Sequence, residues 1–459
     1  MNNRIMKILA EKQDECPKIM KLAVPIMIET VLFMMLGFVD VYMLSRYSDL
    51  AASGVNTANQ VIVVLSMVFL VFSTAGSIQI TQYLGAEQKE NASRAAALAL
   101  TLQMISGLVI SLLVFLFSGP MIHFIGAKEE VYDFANQYLT LVGGFLFLQA
   151  LNNALASIIR CHGLAKPPML VAVGVNLLNI VLDILLVPAM GVIGAGLATV
   201  IGRAAGVIAL TVILFRKVEK PSIFRLLRPW PRAELKQVFR LGVPSAAETF
   251  LYQLSQLIIT SLVLWNLTEN ELITKTYMSN IATLFLLFSC SVGQAAQIVI
   301  GYLVGKGDFD EAKRQGYRAY RLALIVSVCV VGICIILRRP IMSCFTENPE
   351  VIRLAGILFI IELFLEAGRA GNLTVIPCLR GAGDVKFPTM WAIFSNMVIG
   401  LGGAQLLGMT LHMGIQGLWI AMAADEVFRS IVMLIRWHGP KWRNKQITAA
   451  KENAAENAG

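Results

Sequence analysis

The chain has 459 residues, 57% of them hydrophobic and only 15% charged, with 38 basic and 29 acidic side chains giving a net charge of +9. A soluble domain carries nearer a quarter charged residues, so this composition excludes an ordinary soluble enzyme and points to lipid. The basic excess, which on a soluble chain would suggest nucleic acid, is explained here by where it falls along a membrane topology.

Residues 1–20 are charged and lack an apolar core ending in a small-residue cleavage site, so no cleavable signal peptide is expected there. Apolar runs between charged or Gly/Pro-marked breaks then predict twelve spans. Their approximate bounds are 22–45, 53–82, 96–118, 134–159, 167–187, 192–215, 241–265, 276–303, 319–337, 354–379, 387–411 and 414–435. From Ala51 to Gly85, from Phe134 to Ile159 and from Tyr277 to Gly305 there is no charged residue. Each of these runs exceeds the ~20 residues a helix needs to cross a bilayer. With the N-terminus cytoplasmic, 29 of the 38 basic residues fall on the inner side, 6 outside and 3 within spans. The bias places both termini in the cytoplasm, with Arg338 and Arg339 as the one dissenting loop. The basic stretch from Arg216 to Arg240 reads as a cytoplasmic connector.

The two halves repeat at an offset near 220 residues. Pro25 to Thr30 (PIMIET) returns as Pro244 to Thr249 (PSAAET), Gly85 to Arg94 as Gly305 to Arg314, and Arg160 to Pro168 as Arg380 to Pro388. Asn176 falls on Asn396, and Gly191-Val-Ile-Gly194 on Gly414-Ile-Gln-Gly417. Six spans per half is an even number, so both halves enter the membrane from the same side. The expected fold is therefore all-α: an N-lobe over 1–220 and a C-lobe over 221–459, related by a pseudo-two-fold axis along the membrane normal, with a central cleft.

Ionisable groups inside a bilayer are costly and mark sites or pairs. The spans hold Glu29, Asp40, Asp183, Glu248, Glu362, Glu366, Asp425 and Glu426 against Arg203, Arg369 and Arg429. That balance predicts an acidic interior favouring protons, sodium or organic cations. Glu362, Glu366 and Arg369 share one helical face, and Asp425 and Glu426 precede Arg429 by four and three residues, so these groups have local partners. Asp40 and Asp183 do not. Asn176, Asn179 and Asp183 form one stripe of the fifth span, and Asp40, Asp183 and Thr199 all lie roughly 8 to 12 Å from the outer ends of their spans. These residues can meet at one level as an oxygen-rich site for a proton or Na+, or as a polar tie between helices. Glu29 and its repeat mate Glu248 read as cleft-lining acids or as helix-end hydrogen-bonding groups.

No phosphate loop, nucleophile elbow, HExxH or dinucleotide fingerprint occurs in a suitable context, and the seven cysteines (Cys16, Cys161, Cys290, Cys329, Cys334, Cys344, Cys378) form no C-x-x-C pair. An ion gradient is then the expected energy source, with no resident cofactor and no enzymatic activity.

The six-plus-six repeat, the P-x-x-x-E starts of spans one and seven, the Gly-containing loops after spans two and eight, and Asn-Asp in the fifth span together resemble the multidrug and toxic compound extrusion family. The stretches Glu366-Ala-Gly-Arg369-Ala-Gly-Asn372, Leu379-Arg-Gly-Ala-Gly-Asp384 and Gly417-Leu-Trp419 to Arg436-Trp437 look like one bacterial branch of it. The resemblance implies a monomeric inner-membrane antiporter that exports amphipathic, often cationic, small molecules in exchange for protons or sodium. It implies that the ion site falls on Asp40, Asn179, Asp183 and Thr199. A second family pattern puts acids in the seventh and tenth spans. Glu248 fits it, and Glu366, with Arg369 one turn on, is either a cleft acid or a salt-bridge partner. A flippase for lipid-linked precursors is the alternative reading; it would require a cationic cleft. A major-facilitator carrier would need a basic loop after the second span, where this chain reads Tyr83-Leu-Gly-Ala-Glu-Gln-Lys-Glu.

Overall fold

The computed structural model describes residues 18–126 and 128–447. The expectations placed on the chain ends (no signal peptide, an unpaired Cys16, both termini cytoplasmic) lie outside the described residues.

Among the described residues twelve long helical elements follow one another. They are α1 (Ile19–Tyr47), α2 (Asp49–Gly85), α3 (Lys89–Phe124), α4 (the bent pair Glu129–Gly143 and Leu146–Cys161), α5 (Lys166–Met190), α6 (Val192–Lys217), α7 (Arg232–Asn266), α8 (Glu269–Gly305), α9 (Phe309–Ile336), α10 (Pro349–Gly381), α11 (Lys386–Thr410) and α12 (Gly414–His438). Among the described residues, nine helices and the bent pair are long and apolar enough to cross a membrane. Helices α10 and α12 occupy the places of the tenth and twelfth spans at 33 and 25 residues. They miss that apolar standard because Glu362, Glu366 and Arg369 crowd one and Asp425, Glu426 and Arg429 the other. Most helices run past the predicted spans, since polar turns extend a helix beyond the hydrocarbon at no cost to its backbone bonds.

The helices are patterned inside out. On α5 the buried residues include Asn176, Asn179 and Asp183, whereas Leu177 and Leu185 are 60% and 64% exposed. A soluble helix buries its leucines. Here the solvent on the outer face is lipid, and the polar stripe is the one that must turn inward.

Two elements depart from regular helix. In α4 the axis bends by 47° after a π-helical turn at Leu139–Gly143. A Cβ on Gly143 would come within 2.5 Å of Val114 Cγ1, so α3 and α4 pass too closely there for any side chain. The second half of α11 is π-helical at Asn396–Leu401 and Ala404–Thr410. The repeated loops share backbone as well as letters. Gly163 and its mate Gly383 adopt φ of +78° and +91°, and Glu87 takes +60° where its mate Gly307 takes +83°. Such angles suit glycine and strain other residues, which explains why the loop glycines recur.

The contacts divide the described chain into two compact units, one of Pro25–Ala246 and one of 18–24 with 247–447. The division falls inside α1, after Val24, and inside α7, after Ala246, so the basic connector belongs to the first unit. Its 3-10 turn Pro221–Leu227 buries Ile223 and Leu227. Arg94 Nε donates to Leu226 O at 3.1 Å, and Gln79 Nε2 donates to Glu234 O at 3.2 Å. Within the first unit α2, α3, α4 and α6 surround a core built on Val55, Phe69, Val114, Leu139 and Leu146. Within the second, α10 packs on both α8 and α12 around Met278, Phe285, Leu358, Phe359 and Trp419.

Candidate functional site

In the first unit the residues of the predicted oxygen cluster converge. Asp40 and Thr199 are 5% exposed, Asn179 1% and Asp183 fully buried. Thr199 Oγ1 donates to Asp40 Oδ2 at 3.5 Å. With its carboxamide nitrogen turned to the acids, Asn179 donates to Asp183 Oδ2 at 2.9 Å and to Asp40 Oδ1 at 3.1 Å. One amide therefore bridges two carboxyl groups from α1 and α5, and Asp183 Oδ1 stays buried with no hydrogen-bond partner. The local sequence explains the approach of the helices. Helix α6 runs against α5 just beyond Thr199, and the tightest point there is Gly206, where a Cβ would lie 2.7 Å from Asn152 Oδ1 and 3.3 Å from Val175 Cγ2. Asn176, predicted in the same stripe, is buried, but its amide nitrogen goes to Ala172 O of its own helix at 2.9 Å.

Two residues join this site that the sequence reading did not put there. Tyr138, buried at the start of the α4 bend, lies beside Thr199 and within electrostatic reach of Asp40 and Arg203. Arg203 lies one turn beyond Thr199 on α6, within electrostatic reach of Asp40 and Tyr138, and its Nη1 is buried with no hydrogen-bond partner. The spacing of four from Thr199 was the available signal for Arg203. Tyr138 left no signal, because an aromatic in an apolar span looks like packing.

In the second unit the charges of α10 and α12 interlock. Arg369 bonds Glu366 and also faces Glu362 at 3.8 Å and Glu426 at 3.7 Å. Arg429 pairs with Asp425 at 2.5 Å and Glu426 at 3.5 Å. Trp419 Nε1 donates to Glu362 at 2.7 Å, Asn372 Nδ2 donates to Glu426 Oε2 at 2.6 Å, and Ser395 donates to Asp425. Glycine makes this possible: a Cβ on Gly368 would sit 2.6 Å from the Glu426 carbonyl carbon, and one on Gly371 would collide with Ser430 Oγ. The two local charge groups expected from their spacing are thus a single network across two helices.

Beside this network the second unit holds a partly open cavity of about 240 Å³, with walls from α7, α8, α10, α11 and α12. Glu248 lines it, whereas Glu366 stands behind the wall on Arg369. The mates Glu29 and Glu248 are held alike. Arg160 Nη1 meets Glu29 Oε2 at 2.8 Å, and Arg380 Nη2 meets Glu248 Oε2 at 2.8 Å, with Thr389 Oγ1 donating to the same oxygen at 3.2 Å. The conserved offset of the repeat therefore reproduces an ion pair, between the start of one span and the inner end of another.

Outside the spans, Glu219 accepts from Ser93 Oγ at 2.8 Å and lies 3.6 Å from His162 Nε2. Burial raises the Glu219 carboxyl above its ordinary range and lowers the His162 imidazole below its own.

The MatE family model matches residues 25–185 and 244–405, two stretches set apart by the same interval as the internal repeat. An uncharacterized transporter of Bacillus subtilis, YisQ, is 33% identical over 453 residues, covering 97% of this chain and 99% of that protein. A probable multidrug resistance protein NorM of Thermotoga maritima is 26% identical over 449 residues, covering 95% and 96%. Among solved structures, a MATE transporter crystallised in a bent conformation superposes with a TM-score of 0.86 at 22% identity, covering 97% of this chain and 99% of that one.

Proposed function

The chain belongs to the MatE family of multi-pass inner-membrane transporters, a secondary carrier and not an enzyme, and on that premise we propose that it is a cation-coupled antiporter exporting amphipathic, cation-bearing small molecules. The observation that carries this reading is the meeting of Asp40 and Asp183 across Asn179 in the dry interior of the first unit. Two buried carboxyl groups with one neutral bridge and no ion pair need a proton or a small cation to stay there. Gain and loss of that cation give the site two states, and a carrier needs two states for coupling.

Of the two candidate ions, the geometry favours the proton. The Arg203 guanidinium stands within electrostatic reach of Asp40. A metal cation prefers a shell of several oxygens and is repelled by a neighbouring positive charge. The alternative, a flippase for lipid-linked precursors, is not favoured by the multidrug relatives of the chain.

The test is efflux of a cationic dye from proteoliposomes holding the purified protein. A proton gradient alone should drive efflux, and a sodium gradient at equal pH on both sides should not. Efflux under sodium alone would transfer the coupling to Na+, and efflux under neither would refute coupling.

A further inference from the structure

The connector 216–240 leaves the membrane at the end of α6 and re-enters it along α7, and it carries eight basic and two acidic residues. The structure sorts them by sign. Both acids turn into the first unit: Glu219 accepts from Ser93 Oγ at 2.8 Å beside His162, and Glu234, 6% exposed, faces Arg94 Nη1 at 3.7 Å. All eight bases, from Arg216 to Arg240, are exposed, and none forms an ion pair among the described residues. The start of α7 shows the sorting plainly. Glu234, Val238, Leu241 and Ser245 make its buried stripe, and Arg232, Lys236, Phe239, Arg240 and Val243 its exposed one. Three aromatic side chains stand in the open among the bases, Phe224 and Trp230 at 45% exposure and Phe239 at 46%.

The matching loops of the second unit are built differently. There Arg314 pairs with Glu311 at 2.9 Å, Arg436 with Asp384 at 2.7 Å and Arg443 with Asp310 at 2.7 Å. The rule that gathers bases on one side of a membrane counts them whether paired or not, so it does not account for a connector whose acids all face inward. From this sorting we infer that the connector docks on the bilayer surface and binds anionic phospholipid there. Unpaired like charges repel one another, and an anionic partner laid against them relieves that cost. The aromatics commit the face to lipid and not to a soluble polyanion, because at headgroup depth a ring body meets acyl chain while the indole N–H stays wet. The exposed stripe of α7 runs from charge at Arg232 to an apolar side chain at Val243. That is roughly 16 Å at a rise of ~1.5 Å per residue, and it follows the order from headgroup to hydrocarbon. The inference depends neither on the cargo nor on the coupling ion.

The experiment reconstitutes the full chain in phosphatidylcholine vesicles holding a minority of phosphatidylglycerol, with one lipid at a time brominated on its acyl chains. Bromine quenches tryptophan only near contact, so the difference between wild type and Trp230→Phe isolates the Trp230 signal. At equal mole fraction of brominated lipid, phosphatidylglycerol should quench Trp230 at least about twice as strongly as phosphatidylcholine. A single base near an anionic surface already favours the anionic lipid roughly fivefold. Salt at about 1 M, where charges are screened beyond ~3 Å, should bring the ratio close to one. Replacing Arg225, Arg228, Arg232 and Lys236 together by Gln should do the same without salt. Equal quenching by the two lipids at low salt, or a ratio that salt does not move, would overturn the choice of anionic lipid. Quenching by neither would put Trp230 in water and overturn the docking itself. If the fourfold variant does not insert, the salt series on the wild type decides.

Discussion

Asp40 and Asp183 meet in the first unit with a carboxamide and the Thr199 hydroxyl as hydrogen-bonding partners and Arg203 within electrostatic reach of Asp40, and among the described residues neither is joined to a basic group by an ion pair. In the second unit Glu362, Glu366, Asp425 and Glu426 are laced to Arg369 and Arg429. Both sets are buried in a low dielectric, yet their chemical capacities differ. A carboxylate that already has a guanidinium gains little from a proton and would have to break a bond to accept one. An acid hydrogen-bonded to a neutral amide, with the nearest guanidinium short of an ion pair, can take up a proton without breaking one. The difference assigns ion exchange to the first unit and architecture, with a cavity beside it, to the second.

The sharpest way to break that contrast is Asp40→Asn. It preserves shape and removes an uncompensated charge, so the folded protein should persist while gradient-driven dye efflux falls to the level of empty liposomes. Wild-type efflux from this variant would remove Asp40 from coupling. Asp183→Asn should behave alike, because the two acids share one amide. The opposite signature belongs to the second unit. Arg369→Met leaves Glu362, Glu366 and Glu426 short of a partner and should cost about 3–5 kcal/mol, read as a lower thermal midpoint in detergent. Adding Glu366→Gln to it should recover part of the loss, since an acid without its partner is then removed. If Arg369→Met unfolded no more readily than Asp40→Asn, the division between exchanging and structural acids would fail.

A smaller effect tests the likeness of the units. Glu29→Gln and Glu248→Gln each loosen an ion pair that the repeat places identically at 2.8 Å. Each should lower stability by about 1 kcal/mol, the scale of a partly exposed pair. A cost several-fold larger at Glu248 would show that the cavity, and not the repeat, governs it.

Much of this was legible in the sequence because the membrane imposes simple rules. Charge-free runs marked the spans, and the even count per half followed from the repeat. Depth along α1, α5 and α6 brought Asp40, Asp183 and Thr199 to one level, since a helix rises by a fixed amount per residue. What escaped depended on rotation and close approach, which depth does not give. Asn176 shares a stripe with Asn179, yet its side chain bonds back to Ala172. Tyr138 enters the site through the bend at Leu139–Gly143, a feature with only two glycines to announce it. The two charge groups of α10 and α12 were visible as local pairs, but their union depends on Gly368 and Gly371 admitting the α12 backbone. Glu29 and Glu248 could be matched to each other by offset, whereas Arg160 and Arg380 were matched only as loop residues, and nothing in the letters said that the two matches touch.

The smallest predicted effect lies outside the spans, where Glu219 and His162 titrate against each other. Burial raises the Glu219 carboxyl, so the folded protein holds a proton there above pH 4.5 that the unfolded chain has released, and stability falls as pH rises through that window. Burial lowers the His162 imidazole, so just below pH 6.5 the unfolded chain binds a proton that the folded one refuses, and stability rises with pH there. The two slopes oppose each other between about pH 4.5 and 6.5, the ordinary values of the two groups. His162→Gln removes the rising slope and keeps a polar side chain beside Glu219. Its thermal midpoint, measured in detergent across that range, should therefore decline with pH relative to the wild type. A parallel course for the two proteins would mean that His162 keeps its ordinary titration in the fold, and that its burial beside Glu219 and Ser93 has no electrostatic consequence.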